Sequence, residues 1–423
     1  MARTKTIKAH VASDALIQKS IADQVRANGN RQNRSTIENT NHANRPTAFR
    51  ARHPRRAATS LPAKLLQPSN SPGFSKFLLP ATQLCTHPLD HALPVFHCLI
   101  HTVPKLLPRK RASDPRTWIY PEPLLTLTKE QKESTWHYMR QIGEAVDWVV
   151  SEPNAKKGLH ESDEGMATIQ RTRPLLRCGL MGHGATITTS VNMVRAAEDA
   201  ARSGNDAAGE KWHSSQLAIL WLHEMSHAVV HAVLPADPGT PEHVFLGTAT
   251  PTAEVGFEVE QRIFGGTMGL QRDLVPWAGG VYLEEWPDSQ TLAYHREMGD
   301  LIETRGSSRA LTKEWNVVWK VESDFWERMF EEEFWLQDGI AGNLAALHAK
   351  RDAGVTVVFK ETTLAEEEAI ASEMQSMGYA EVREHLWVKQ GSAVGEIETG
   401  NQSERNMADK SKSAETSKQQ SQR

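Results

Sequence analysis

Residues 219–233 read ILWLHEMSHAVVHAV, and this stretch decides the fold prediction. Its apolar residues predict a long buried helix from about Ser214 to Leu234, which Pro235 ends. The HEMSH segment places His223 and His227 four positions apart. Because a helix advances about 100° per residue, their imidazoles lie about 40° apart on one face, one turn above the other. Two imidazoles in this arrangement can both reach one Zn²⁺ at about 2.0 to 2.1 Å.

Glu224 follows the first of these histidines and is rotated about 100° from it. Its carboxylate can therefore take a proton from a water that the metal activates and return it to a leaving group. The neighbouring residues 220–222, 225–226 and 228–229 carry no charge, as a buried helix beneath an active site requires. A plainer interpretation is a core helix whose histidines bond to their neighbours. That interpretation has to place three polar residues on one buried helix.

A zinc site needs a third ligand, and the motif HExxHxxGxxH does not supply it. Val230 and Val233 stand where that motif has glycine and histidine. His231 lies two turns from His223 and is rotated by about 80°, too far to share one ion easily. We therefore interpret His231 as a hydrogen-bonded helix histidine or as a residue that contacts a metal ligand without binding the metal itself.

A glutamate from a following helix can supply the third ligand instead. Residues 252–266 read TAEVGFEVEQRIFGG, with Glu254 and Glu258 four positions apart. In this interpretation Glu254 binds the metal, and Glu258, one turn later, accepts a hydrogen bond from a ligating histidine. An alternative makes Glu258 the ligand. Glu260 is expected on the opposite, solvated face.

HEMSH with a downstream ExxxE resembles the gluzincin group of zincin metallopeptidases, whose motif is HExxH followed by ExxxD on the next helix. The resemblance implies that His223, His227 and Glu254 bind one zinc ion and that Glu224 is the catalytic base. It also implies that Glu258 supports a ligand, although this chain has glutamate where the group has aspartate. The side chain is then one methylene longer.

A closer resemblance is to uncharacterised fungal proteins with a zincin-like HExxH core. The similar segments lie between about residues 113 and 340, and they are Ala253–Glu260, Ile263–Gly266, Glu285–Pro287 and Glu332–Trp335. In zincins an edge strand before the motif helix commonly pairs with extended substrate, and residues 185–194 are the candidate here. A Tyr, His or Arg further along steadies the developing oxyanion, and Tyr282, Tyr294 and His295 are eligible.

A different metal chemistry also fits part of the motif. Glu224-x-x-His227 is half of a di-iron carboxylate signature, which needs a second ExxH on another helix. The other match, Glu210-x-x-His213, falls on the same helix and cannot face the first. We therefore predict a zinc-dependent hydrolase, most plausibly a peptidase acting on a peptide or protein. The alternative is a catalytically silent zincin-like protein that binds a metal or a partner.

The composition divides the 423-residue chain into unequal parts. The chain carries 48 Lys and Arg against 52 Asp and Glu, which fits an ordinary soluble protein and excludes collagen-like chains. Residues 1–112, however, hold 18 basic and four acidic residues and no tryptophan. Large aromatic side chains supply much of a core's buried area. The pattern predicts a basic disordered leader over 1–112, a folded zincin-like domain over 113–390 and a disordered polar tail over 391–423.

The leader admits three interpretations. It is a solvated extension, a mitochondrial presequence, or a segment for nuclear import or nucleic-acid contact through FRARHPRR at residues 49–56. No apolar stretch resembles a signal peptide or a membrane span, and the three cysteines are too few for a disulfide framework. We therefore expect an intracellular protein, cytoplasmic or nuclear, with mitochondria as an option. The sequence does not predict the oligomeric state.

Periodicity predicts a helix-dominated α+β fold. Capping signals and apolar spacing favour a set of elements besides the motif helix. They are a helix from the Thr128 capping box to Val149 or Val150, a strand over 185–194, a helix from Thr250-Pro251 to Gly265-Gly266, a helix over Trp315–Trp335, and a small β-α-β appendage over 354–390.

Overall fold

The computed structural model describes residues 78–109, 116–152, 164–203, 207–235, 242–247, 253–268, 282–284, 286, 315–321, 323–337, 347–348, 351–358, 364–383 and 386–389. Most of the predicted leader and all of the predicted tail therefore lie outside the described residues. The described helices are α1 (Leu79–His101), α2 (Lys129–Glu144), α3 (Val191–Ser203), α4 (Ala207–Val233), α5 (Val255–Phe264), α6 (Ser323–Arg328), α7 (Glu332–Trp335) and α8 (Leu364–Ser376).

The described strands form three sheets. Helix predominates over strand in the described ranges, which confirms the mixed, helix-dominated class. The strands are β1 (Lys105–Leu106), β2 (Arg116–Tyr120), β3 (Val146–Ser151), β4 (Gly165–Pro174), β5 (His183–Ser190), β6 (Glu242–Leu246), β7 (Tyr282–Glu284), β8 (Trp315–Val321), β9 (Arg351–Val358), β10 (Tyr379–Arg383) and β11 (Leu386–Lys389).

The motif helix α4 is the centre of the core, and α1 packs along it. The predicted boundary near residue 113 is wrong, because α1 lies inside the segment assigned to the leader. Its apolar side chains are buried, among them Leu89 and Phe96 at 2% and 0% exposure. The absence of tryptophan from α1 misled the prediction, because Trp221 of α4 supplies a large aromatic to the same core.

A three-stranded sheet in the order β3-β5-β4 lies against α4. β3 runs parallel to β5 and β4 runs antiparallel to it. The predicted strand over 185–194 is therefore confirmed as β5, but it ends at Ser190 and is the central strand. The edge strands of this sheet are β3 and β4. The polar sequence of β4, GMATIQRTRP, gave no apolar signal from which a strand could be predicted.

α2 begins at the predicted capping box. The Thr128 side chain accepts from the backbone N–H of Gln131, whose side chain accepts in return from the backbone of Thr128. The helix ends at Glu144, however, and the residues predicted to continue it form β3. Val146 and Trp148 are buried while Asp147 is exposed, so this stretch follows the two-residue period of a strand.

The third sheet has the order β10-β11-β9-β8-β7. The predicted strand, helix and strand over 354–390 are present as β9, α8 and β11, but they are not a separate appendage, because β9 pairs with β8. The predicted helix over Trp315–Trp335 is wrong in its first part, whereas Ser323–Arg328 and Glu332–Trp335 are helical. Its first seven residues form β8, in which Trp315, Val317 and Trp319 alternate at the spacing of a strand.

β2 joins the remaining small sheet, in the order β1-β2-β6. Its parallel pairing with β6 brings the chain to the start of α5. In the part of the chain that the structure describes, no helix combines the length and the apolar character that a membrane crossing needs.

Candidate metal centre

α4 fixes the positions of both motif histidines. The helix is buried on both sides of the motif, with Trp221, Leu222 and Val229 at 0% exposure, as the uncharged flanks predicted. The Trp221 indole N–H donates to the Thr189 hydroxyl of β5 at 3.2 Å and ties the helix to the sheet. The His223 and His227 rings lie 5.2 Å apart between centroids, so they share one helix face.

Glu254 meets these histidines from the start of α5. The helix begins at Val255, so the predicted start at Thr250-Pro251 is too early, and Glu254 is the N-cap residue. Its Oε1 atom accepts the Gly256 backbone N–H at 3.1 Å, which fixes the carboxylate at the helix start. The same atom lies 3.3 Å from Nε2 of His223 and 2.7 Å from Nε2 of His227.

His223, His227 and Glu254 form a group with metal-binding geometry. One ligand atom from each lies within 4.8 Å of the other two, and among the described residues this is the one such group of three or more. Ligands about 2.0 to 2.1 Å from a tetrahedral ion are separated by roughly 3.3 Å. The 3.3 Å distance to His223 matches that value, whereas the 2.7 Å distance to His227 is a hydrogen-bond distance and is shorter. Two imidazoles with a carboxylate are a donor set that suits zinc.

The acid that supports His223 is Glu260, and the prediction of Glu258 for this role is wrong. Oε1 of Glu260 lies 2.8 Å from Nδ1 of His223, and its Oε2 accepts the Met268 backbone N–H. Glu260 is 3% exposed, so its predicted solvated position is also wrong. The physical reason is that Glu254 is the N-cap residue and has extended backbone dihedrals (φ −91°, ψ 95°), so its side chain does not share a helix face with Glu258.

Glu258 has a structural role instead. Its Oε1 accepts from the Arg262 side chain at 2.7 Å. Arg262 also donates to the Leu246 carbonyl of β6 and pairs with Glu122 ahead of α2. This set of contacts holds α5 against β6 and so keeps Glu254 in front of α4.

The charges of the group are strongly coupled. Burial opposes a charged His223, but the hydrogen bonds and negative charges of Glu254 and Glu260 outweigh it and raise the pKa of this imidazole well above its usual range. Burial would raise the pKa of Glu254, but the two histidines hold it well below its usual range. The cluster is thus a place where the protein stabilises positive charge.

Glu224 lies beside the group and outside it. The residue is 6% exposed, and burial raises the pKa of its carboxyl although both histidines oppose the shift. The backbone of Ala167 in β4 is close enough to oppose this rise in pKa. The motif helix and β4 therefore meet at the carboxylate predicted to be the catalytic base.

Of the other predicted residues, His231 is described and is not in the ligand group. It lies in the last turn of α4, where burial and the charge of His227 lower its pKa to about 4. Tyr282 is in β7, but its side chain is outside the described part, and so are Tyr294 and His295 entirely. Glu210 lies on α4, as the argument against a di-iron site expected.

Sequence reasoning missed Glu260 and β4. No sequence signal pointed to Glu260, because glutamate is not a preferred N-cap residue and the spacing of Glu254 and Glu258 indicated one continuous helix. Comparisons with family models, with curated proteins and with solved structures return no match to this chain. The geometry of the site is therefore the basis for any functional conclusion.

Proposed function

We propose that this chain is a zinc-dependent hydrolase of zincin-like fold that cleaves peptide bonds. The observation that carries the proposal is the approach of Glu254 Oε1 to Nε2 of both His223 and His227, with the buried Glu224 next to them. A catalytic zinc site usually has three protein ligands and an adjacent acidic residue.

The residues divide the chemistry between them. His223, His227 and Glu254 would hold a zinc ion, which when bound supplies Lewis acidity that polarises a carbonyl group and acidifies water. Glu224 accepts the proton of the attacking water as the carbon–oxygen bond forms. It then gives that proton to the amide nitrogen as the carbon–nitrogen bond breaks. The raised pKa of Glu224 suits a group that must both accept and return a proton.

Glu260 acts through a ligand rather than on substrate. Its hydrogen bond to Nδ1 of His223 orients that ring and leaves Nε2 for the metal. Arrangements of this kind make a metal site rigid, and rigidity is what a hydrolytic site needs.

A peptide substrate is favoured by β4. This strand is at the edge of its sheet, and the backbone of its residue Ala167 is close enough to Glu224 to lower the pKa of that carboxyl. An extended chain can add to a sheet edge through backbone hydrogen bonds, which would bring a peptide bond next to the base. The side chains of β4 from Arg171 to Pro174 are exposed, so this end of the edge is accessible.

The test combines metal content with hydrolysis. Purified without chelators, the full chain should hold about one zinc and should cleave members of a peptide library. Glu224→Gln should retain the zinc and lose cleavage by about a hundredfold or more, since general-base catalysis contributes roughly 10² to 10⁴. Glu210→Gln on the same helix serves as the matched control and should cleave normally.

Each outcome separates the alternatives. Zinc with no cleavage by the wild type would favour a catalytically silent zincin-like protein that binds a metal or a partner. No zinc at all would remove both interpretations. Unchanged turnover in Glu224→Gln would exclude this residue from the mechanism.

A further inference from the structure

We propose that Phe257 and Trp286 form an aromatic wall that recognises a large apolar side chain of the substrate beside the metal centre. This inference rests on the proposed function, because it names the substrate class for the same site. Three observations carry it, and they are the contact with His223, the exposure of Phe257 and the support from Trp286.

Phe257 is in direct contact with a metal-site histidine. Its ring meets the His223 ring at 75° with centroids 4.5 Å apart. Gly256, the preceding residue, lies so close to the same imidazole that a Cβ atom there would come within 2.4 Å of Nε2. A glycine is therefore required at this point, and the first turn of α5 is pressed against the metal site.

Phe257 is exposed on a helix whose other apolar residues are buried. Its exposed fraction is 36%, whereas Val255, Val259 and Ile263 are at 2% or less. Apolar surface that remains in water beside a candidate metal site is typical of a surface that binds a ligand.

Trp286 supports the exposed ring from behind. The two rings lie 4.7 Å apart at an angle of 42°, and Trp286 is 8% exposed. The rings of His223, Phe257 and Trp286 thus follow one another in a continuous row. Because the rear of the row is buried, Phe257 offers a surface with little freedom to move, and ligand binding costs less side-chain entropy.

The position of the wall predicts what it binds. A substrate whose scissile group reaches the metal must place a neighbouring side chain only a few ångströms away, which is the distance from His223 to the Phe257 ring. A large apolar side chain there would bury surface on both partners, and aromatic contact would add to the gain. Neither residue of the wall carries a charge, so the wall favours apolar over charged substrate residues.

Two small hydroxamates test the wall without any need for turnover. Glycine hydroxamate and phenylalanine hydroxamate share the metal-binding group and differ by a benzyl side chain. Calorimetric titration of the full, zinc-loaded chain should show the phenylalanine compound binding about tenfold more tightly, the upper range for one aromatic contact. Phe257→Ala should reduce that ratio to near one.

Leu125→Ala is the matched control, because Leu125 is an apolar residue, 70% exposed in the segment before α2, and is not part of the wall. It should preserve the tenfold ratio. Zinc content is measured first for each variant. If Phe257→Ala loses zinc, Phe257→Gln, which retains a side chain of similar length against His223, provides the same comparison.

The outcomes distinguish this inference from the proposed function. A ratio near one in the wild type, or a tenfold ratio in zinc-loaded Phe257→Ala, would overturn the wall even if Glu224-dependent hydrolysis is present. A tenfold ratio that depends on Phe257, without any Glu224-dependent hydrolysis, would support the wall and overturn the peptidase. Failure of both compounds to bind would overturn the two together.

Discussion

The helices α1 and α4 both carry histidines four residues apart, and one pair from each helix differs sharply in the partners that its imidazoles find. His97 and His101 lie on α1, with ring centroids 4.7 Å apart. His223 and His227 lie on α4, with centroids 5.2 Å apart. Both helices are buried in the same core.

The partners of the α1 pair are hydroxyl groups from α2. Nδ1 of His97 bonds to the Thr135 hydroxyl at 2.9 Å, and Nε2 of His101 bonds to the Ser134 hydroxyl at 3.2 Å. Burial lowers the pKa of both imidazoles, that of His101 to about 4, with a further contribution from His97. These two rings are therefore neutral near pH 7.

The partners of the α4 pair are carboxylates from the start of α5. Glu254 and Glu260 raise the pKa of His223, against the effect of burial. The comparison teaches that a His-x-x-x-His spacing selects a pair of rings on one face but does not make a metal site. The acids that another element brings to the pair decide between a site for a cation and a neutral contact between helices.

The largest expected effect is the loss of metal from the α4 histidine pair and its acidic partners. Glu254→Ala should weaken zinc binding by more than about a hundredfold, because even residues that only support a ligand cost about 10- to 100-fold. Equilibrium dialysis with metal analysis measures the change. His101→Ala is the control from the other pair. If it lost zinc as well, the contrast between the pairs would be false.

The next largest effect is expected on the free energy of unfolding at low pH, through His101 of the neutral α1 pair. The pKa of His101 is about 4 in the folded protein against about 6.5 unfolded, so the unfolded chain binds more protons between these values. The free energy of unfolding should therefore fall as pH drops from about 6.5 to about 4, by up to about 3 kcal/mol from this residue.

Urea unfolding across that pH window tests this expectation. His101→Gln should be less sensitive to acid than the wild type, whereas His137→Gln, on the exposed side of α2, should match the wild type. Equal acid sensitivity in His101→Gln and wild type would show that burial of the α1 pair has no consequence for stability.

A third effect concerns the acid behind His223. Glu260→Gln should weaken zinc binding by about 10- to 100-fold, because the amide is a poorer acceptor for the Nδ1 proton. Chelator competition measures the dissociation constant. Glu258→Gln should leave zinc affinity unchanged and should lower stability through Arg262. If Glu258→Gln lost zinc affinity and Glu260→Gln did not, Glu258 would be the acid that supports His223.

The smallest effect is expected when the Thr135 hydroxyl, which bonds to His97 of the neutral α1 pair, is removed. Thr135 donates to the Gln131 carbonyl at 2.8 Å, so its oxygen accepts the Nδ1–H of His97. Thr135→Val would leave that buried donor without its acceptor and should cost about 1 to 2 kcal/mol of unfolding free energy. Thr172→Val, exposed on β4, should cost less than about 0.5 kcal/mol in the same urea titration.

The sequence was sufficient for the parts of the site that one helix determines. The relative directions of His223, Glu224 and His227 follow from helical geometry alone, and α4 has the expected end before Pro235. Glu254 was also predicted, because its distance along the chain permits a return to α4. The metal itself and the hydrolytic activity are still predictions.

The sequence was insufficient wherever a contact between elements decides the structure. Glu260 was assigned to solvent because the register of α5 depends on a cap that spacing does not reveal. β8 was taken for a helix because Trp315, Val317 and Trp319 lie within a longer row of aromatics that also fits a helical period. α1 was assigned to the leader because its burial depends on α4, a partner more than one hundred residues away.

The cap at Glu254 would limit the coordination of an ion bound here. The Gly256 N–H holds Oε1 of Glu254 toward the two imidazoles, so this carboxylate would contribute one oxygen. The protein would then offer three donor atoms, and a four-coordinate ion would keep one position for water or substrate. An open position of this kind separates catalytic zinc sites from closed structural ones.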